Sequence, residues 1–545
     1  MKKIFTYFSI ALIGALFFNS CETSELNLSD DPNNLTPAQA DPDFYLNAVQ
    51  INFARLVESL GETGAEVTRI ENMGSRNYQN AYSPSGFDTN WQRAYQGILK
   101  NIADMNVLAE EAGLTKHIAI GQFIEAYTIT LMVDYFGDVP YSEALNAEEN
   151  LNPAVDSGAD VYAAALSLLD KAIVNFNAEA LTDPQYDFYY DYDYDNWIKA
   201  CNTLKLKLDI TTGNIPAFNS IIASGNYIDE VAEDFQFTWG SNQVQPDTRH
   251  PNYADNYENT GANDYQSVWL MDMMDTSNDP RIRYYFYRQS ETVPGSDGTD
   301  PNEETLDCSL QAPPAQYVAG GYAFCTLPNG YWGRNHGNNS GIPPDGLLKT
   351  APGVYPVAGK FDDDSFDEIA LGAGGGGSGI TPIILSSWVA FWQAEAAMLT
   401  SPAAGLPFIL DGTEKSISKV MTFGSVDPDA DLTFEPTEDD VTAFMDALEA
   451  SFTAAGSEEK WNIMAKQFFT ALKGNGIDAY NFYRREGYPT DIEPNLEPNP
   501  GAFIRSFLYP ANFANTNSSV QQKASVTQQV FWDDNPASPG FPVGN

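Results

Sequence analysis

Residues 122–145 read QFIEAYTITLMVDYFGDVPYSEAL, and the first half of that stretch is written for a buried helix. Ile120, Ile124, Tyr127, Leu131 and Tyr135 recur every three or four residues, which places all five on one face of a 3.6-residue repeat. The helix then runs into a Tyr-Phe-Gly-Asp-Val-Pro turn. Similar stripes lie on either side. Val161, Ala165, Leu168, Ala172 and Phe176 form one; Leu385, Trp388, Trp392 and Leu399 form another, entered through Pro382 near the first helical position. Val441, Phe444, Leu448 and Phe452, then Trp461, Met464, Phe468 and Leu472, make two more. Helices are expected to begin near residues 44, 91, 118, 159 and 196. The last three starts are 37–41 residues apart, close to the period of helix-turn-helix solenoids but without a repeated signature. These stripes read as core. Cys201, inside one helical pattern, reads as a buried free thiol.

The texture changes between about 213 and 380, where Gly, Pro, Asn and Asp dominate and aromatics are scattered. Short runs such as Asp234–Trp239 look like strands there, and loops this long in a compact chain are usually functional. Helices return after 381, interrupted by an acidic linker at 425–440, and the tail from 487 is again loop-like. The expected division is a body over 43–545 with a helical scaffold at 43–212 and 381–486, an irregular region at 213–380 and a loop-rich tail at 487–545.

Composition narrows the function. The 545 residues include 74 acidic and 28 basic side chains, a formal charge of −46, with three His and four Cys. So few clustered cations exclude a broad nucleic-acid footprint, and three histidines leave little room for multi-His metal sites. Lys2 and Lys3 precede a mostly apolar stretch from Ile4 to Phe18, and Asn19-Ser20-Cys21 closes it. That is a secretory leader over 1–20, too short to span a bilayer. A small residue before a cysteine at its end marks a lipoprotein, with Cys21 as the lipidation site; Phe18 and Asn19 depart from the usual lipobox, and an ordinary signal peptide is the alternative. Residues 21–42 are polar and turn-rich, as suits a tether. In an exported protein Cys308 and Cys325 are able to pair as a disulfide.

Several segments, taken in order, resemble the SusD/RagB-like nutrient-binding lipoproteins of the outer membrane. They are Asp31-Pro-Asn-Asn34, the 122–145 stretch, Trp197-IKACNTLKLKL-208, Asn278-Asp-Pro-Arg-Ile282, Trp392-QAEAAML-399, Ala479-YNFYRREGYP-489 and Leu508-Tyr-Pro510 followed by Asn517. The sequence departs after Tyr509-Pro510, where many members carry an acidic residue and Ala511-Asn-Phe-Ala supplies none. The resemblance implies a mostly α fold, with four tetratricopeptide-like helix pairs, an irregular ligand-binding region and a few short strands. It also implies the outer leaflet of a Gram-negative outer membrane, facing the exterior, and a SusC-like TonB-dependent transporter as partner. Members capture oligosaccharides, or in some cases peptides.

Aromatic rings are natural platforms for sugar C–H faces, while Asn, Asp and Arg pair with hydroxyls. The segment 329–346, NGYWGRNHGNNSGIPPDG, sets Tyr331 and Trp332 between glycines beside Arg334, Asn335 and His336, and the glycines are expected to leave the Trp ring accessible. The opposing reading is a Trp that plugs the core beneath a loop. His336 alone reads as a hydrogen-bonded structural residue. Tyr78 and Tyr82, in a loop between helices, complete the candidate ligand set, and Trp91 reads as core. The run Tyr186-DFYYDYDYDNW-197 suits a half-buried strand or a solvated helix entry.

Enzyme readings are weaker. No H-E-x-x-H, G-x-S-x-G or C-x-x-C occurs. Gly372–Gly377 matches G-x-G-x-x-G after a possible strand at 368–371 and before a helix, a pattern that glycine runs satisfy trivially. Asp362-Asp363-Asp364 lacks a calcium-loop spacing and reads as solvated charge. The expectation is a non-catalytic receptor for a neutral glycan, a β-glucan for instance, with no cofactor and no metal. Peptide cargo or a surface glycan hydrolase are the alternatives.

Overall fold

The computed structural model describes residues 41–146, 150–296, 306–346 and 348–536. The leader, Cys21, the tether up to 40 and Asp31–Asn34 lie outside them. Helix α1 (Pro42–Val67) starts where the Asp41 side chain accepts from the Asp43 N–H and Pro42 fills the first turn. Leu46, Val49, Phe53, Val57 and Leu60 bury one side of it, while Glu58, Glu62 and Glu66 stand one turn apart along another. A π-helical stretch, Arg93–Lys100, runs without a break into α2 (Asn101–Ala112). Then follow α3 (Thr115–Phe136), α4 (Gly158–Asn177), α5 (Tyr194–Thr211) and α6 (Ile215–Ser224). Each packs on the next, giving a tetratricopeptide-like succession of helix pairs.

The elements shorten after α6. They are β1 (Phe235–Thr238), α7 (Pro251–Asn256), α8 (Val268–Ser277), α9 (Ile282–Tyr285), β2 (Phe286–Tyr287), β3 (Ala351–Pro352) and β4 (Ile380–Ile384). β1 pairs antiparallel with β4, Phe235 opposite Ile384 and Thr238 opposite Ile380; β2 pairs with β3, Phe286 opposite Pro352. Long helices then resume as α10 (Ser386–Met398), α11 (Leu406–Met421), α12 (Glu438–Ala454), α13 (Ser457–Ala471) and α14 (Ile477–Glu486). The fold is mostly α, with a large irregular portion carried on helix pairs.

Two features lock the helices together. A Cβ on Gly64 would lie 2.5 Å from the Gly476 carbonyl oxygen and 2.8 Å from the Tyr135 hydroxyl, so α1 meets the entry to α14 at backbone distance. The buried Asp134 carboxylate, near the end of α3, accepts from the Tyr162 hydroxyl on α4, from Asn481 Nδ2 at 2.8 Å and from Trp532 Nε1 at 3.1 Å. Arg484 donates to the Asp134 carbonyl at 2.8 Å and to that of Arg505 at 2.7 Å. The Tyr-Phe-Gly-Asp-Val-Pro stretch is thus a structural knot: Asp138 accepts from the Gly158 N–H at 2.9 Å and Val139 bridges Asp156.

Several sequence readings change. Pro382 lies in β4, because the Leu385 backbone caps α10 and the strand ends just before it. Leu399 is 52 % exposed at the far end of that helix, and in α4 Leu169, not Leu168, is fully buried. Residues 368–371 form no strand, and the glycine run that follows turns directly into β4. It lies against its neighbours: the Gly377 carbonyl accepts from the His250 N–H at 2.8 Å. Asp362 and Asp364 are not solvated charges; both hold Arg283 and Arg288, and Asp362 is fully buried. The Tyr186–Trp197 run is a helix entry. Asp187 accepts from the N–H groups of Tyr189 and Tyr192 and from Trp197 Nε1, turning Tyr189 and Trp197 onto Phe235. Cys201 is buried and free, and Cys308 is joined to Cys325.

Candidate functional site

The helical repeat puts Glu58, Glu62 and Glu66 on successive turns of α1, and the chain brings further polar groups to that strip. A cleft of about 220 Å³ is lined by Glu62, Glu66, Glu71, Asn72, Asn252, Asn263, Asp264 and Tyr265. Beneath it, a chamber of about 30 Å³ lies between Glu58, Glu62, Glu71, His250 and Lys473. That is room for water-sized groups only. Glu62, Glu71 and Asn252 border both spaces.

Each wall residue has a defined anchor. Glu58 accepts from the Thr381 hydroxyl at 2.6 Å, and Thr381 in turn accepts from Trp239 Nε1 at 2.8 Å. Glu66 accepts from the Tyr82 hydroxyl at 2.9 Å. Lys473 donates to Glu71 and, at 3.2 Å, to Gln266. Asp264 and Asn256 exchange two hydrogen bonds, at 2.7 and 2.9 Å. Asn72 Nδ2 donates to the Asn335 carbonyl at 3.0 Å. Tyr265 donates to Asp345 at 2.6 Å, with the Arg334 guanidinium 4.3 Å from its ring centroid.

Crowding so many carboxyls changes their protonation. Burial, then the charges of Glu62 and Glu71 against the opposing Thr381 hydrogen bond, lifts Glu58 to about 8. Burial, with Asp264, Glu71 and Asp255, lifts Glu62 to about 7, and burial beside Glu62 carries Glu66 well above the carboxylate range. Burial lowers His250 to about 3, leaving a neutral ring. Its Nδ1 accepts from the Asn252 N–H at 3.2 Å, so the proton sits on Nε2, which faces Glu58 at 3.5 Å. At neutral pH the walls present protonated and ionised carboxyls together with amides, a mixture of donors and acceptors. Among the described residues, no group of three or more His, Cys, Asp or Glu is arranged to hold a metal ion.

The residues singled out in the sequence surround this cleft more than they line it. Tyr82, Arg334 and Asn335 each stand one contact behind a wall residue, on Glu66, Tyr265 and Asn72 respectively. Tyr78 is buried, with its ring 5.7 Å from that of His336. Trp332 is 1 % exposed, and its indole N–H donates to the Thr292 carbonyl at 2.8 Å. It offers no open face, and the glycines beside it explain why. A Cβ at Gly333 would strike the Gln266 carbonyl, and one at Gly330 the Ser290 carbonyl. They serve close backbone packing rather than ring exposure. Tyr331, 2 % exposed, borders a different cleft. Neither ring nitrogen of His336 has a hydrogen-bond partner among the described residues, so its ring is held by packing, while its backbone N–H donates to Glu493 at 2.7 Å.

Glu58, Glu62, Glu66 and Asp264 were missed by sequence reasoning. The four-residue spacing on α1 was a visible signal, but charges on a helix ordinarily mark its solvated side.

A family model described as "Starch-binding associating with outer membrane" matches residues 32–303. The chain belongs to the SusD-like family. Solved SusD-like structures share its fold over most of its length. A SusD/RagB family protein from Bacteroides thetaiotaomicron is 20 % identical, over 91 % of this chain and 100 % of that one, at a TM-score of 0.64. A chitin-binding protein is 18 % identical, over 91 % and 100 %, at 0.62. A chitin-binding SusD homolog from Flavobacterium johnsoniae is 15 % identical, over 90 % and 99 %, at 0.61. No curated protein matches the sequence. Among the described residues of this SusD-like chain, no helix is long and apolar enough to cross a membrane.

Proposed function

We propose that this SusD-like protein is a surface receptor that captures a neutral oligosaccharide and delivers it to a SusC-like TonB-dependent transporter, held at the outer membrane through lipid on Cys21. The observation that carries the reading is the cleft on α1. Two segments singled out in the sequence for sugar chemistry, the one with Tyr78 and Tyr82 and the one at 329–346, supply the residues that brace its walls. Amides and carboxyls in mixed protonation states pair with sugar hydroxyls as both donors and acceptors. The chain's formal charge of −46 disfavours polyanionic glycans. The chitin-binding relatives and the starch-binding description of the family agree with a glycan ligand. The role proposed for this geometry is binding rather than catalysis.

Affinity electrophoresis of the mature chain through soluble starch, a mixed-linkage β-glucan and glycol chitin tests this. One polysaccharide is expected to retard the wild type, and an Asn72→Ala, Asp264→Ala variant is expected to lose most of that retardation while keeping the wild-type circular dichroism and a cooperative unfolding transition. No retardation by any of the three, with peptide binding seen by calorimetry, would move the cargo to peptides. New reducing ends released by the purified protein would overturn the receptor reading.

A further inference from the structure

We propose that the protein has a second saccharide-binding cleft, between α8–α9, the Asn329–Tyr331 turn and the start of α12, where Phe434 is the ring platform and Asn329 the hydroxyl partner. The choice of ligand class rests on the glycan reading above; the site itself does not. The cleft has a volume of about 640 Å³ and shares no lining residue with the one on α1. That is within the range of small-ligand sites, which run from about 300 to 1,000 Å³.

Three observations point to a neutral, hydroxyl-rich ligand. Phe434 ends a short 3-10 turn (Leu432–Phe434) in the acidic linker and is 38 % exposed at the cleft. The Arg283 guanidinium lies 5.6 Å from its ring centroid, so the ring is held in place while much of it stays open. Asn329 donates from Nδ2 to Asp275 at 2.6 Å, yet its buried Oδ1 has no hydrogen-bond partner among the described residues. An amide oxygen left that way calls for a donor, and a turn of the Asn329 side chain within the cleft it lines would present it to a sugar hydroxyl.

The charges select against anions. Arg288 is bound by Asp362 and Asp364, and Arg283 donates to Asp364 at 2.8 Å. Both guanidiniums are already paired, and the remaining ionisable groups on the walls, Asp275, Asp279, Glu435 and Asp440, are acidic. An exposed ring, an unpaired amide oxygen and no spare positive charge suit a neutral pyranose. Two clefts on one chain make the second contact intramolecular, so a long glycan gains avidity that a short one lacks.

The test uses the same three polysaccharide gels, with a trisaccharide of the retarding glycan for calorimetry. Phe434→Ala and Asn329→Ala are expected to weaken retardation by about tenfold, and Phe434→Tyr, which keeps the ring, to restore it. The trisaccharide should bind the wild type at two equivalents and Phe434→Ala at one. One equivalent in the wild type, with full retardation of both alanine variants, overturns the second cleft and leaves the first. Retardation that survives Asn72→Ala, Asp264→Ala but not Phe434→Ala overturns the first and leaves the second. Retardation of the wild type by none of the gels overturns both.

Discussion

Glu58 is a carboxyl that the fold keeps protonated. Its value of about 8 stands above the ordinary 4.5 because burial penalises the charged form. The folded state therefore holds a proton that the unfolded chain gives up. This contribution is fully present below about pH 4.5 and is lost as pH rises through 8. Urea unfolding at pH 5 and pH 8 should show wild type losing stability between them, and Glu58→Gln losing less, by about 3 kcal/mol; equal losses would show that Glu58 titrates normally. The aromatic candidates pose the opposite problem. Trp332 stood out in sequence because glycines stood on either side of the Tyr331-Trp332 pair, but a Gly-Tyr-Trp-Gly pattern does not say whether the glycines expose the ring or let backbone close over it. Here a fully buried indole means that Trp332→Ala should cost roughly 4 kcal/mol, so lost binding in that variant would report a damaged fold. Tyr82, Arg334 and Asn335 were visible as chemistry, whereas the wall residues they brace were not.

Helices were legible wherever an apolar stripe faced a core, and strands were least so. Pro382 was read into α10 because proline favours a first helical turn; pairing of β4 with β1 decided otherwise, and a tertiary partner leaves no local mark. Asp362–Asp364 looked solvated because Arg283 and Arg288 lie some seventy-five residues away in sequence. Contacts between elements also set the tolerance of small residues. Gly64→Ala should destabilise the protein by about 2 kcal/mol, since its methyl would meet Gly476 and Tyr135. Gly86→Ala, with only the Ser83 hydroxyl at 3.8 Å, should be close to neutral. Thermal unfolding of the pair separates a packing effect from a general effect of the added methyl.

At the scale of the whole molecule, many cations of the described residues are committed to internal ion pairs. Arg281, Arg334, Arg485 and Arg505 are buried on carboxylates, and Lys207 and Lys419 likewise. The formal charge of −46 is thus carried largely by carboxylates without a cation beside them. Raising salt from about 0.01 to 0.3 M shortens the Debye length from roughly 30 Å to under 8 Å, so the unfolding temperature should climb with sodium chloride. A falling temperature would mean that the internal ion pairs outweigh the repulsion. Composition alone made the acidity plain but not where the positive charges were spent.

Asp134 also dictates when folding can finish. Its carboxylate is enclosed by Tyr162, Asn481 and Trp532, the last of them 398 positions further along the chain. A polypeptide that emerges N-terminus first can give this acceptor, near the end of α3, its Tyr162 partner early, but leaves it without Asn481 and Trp532 until those late segments arrive. The set of donors around Asp134 is therefore filled last by Trp532, and the joint between α3, α4 and α14 closes only when that residue is in place.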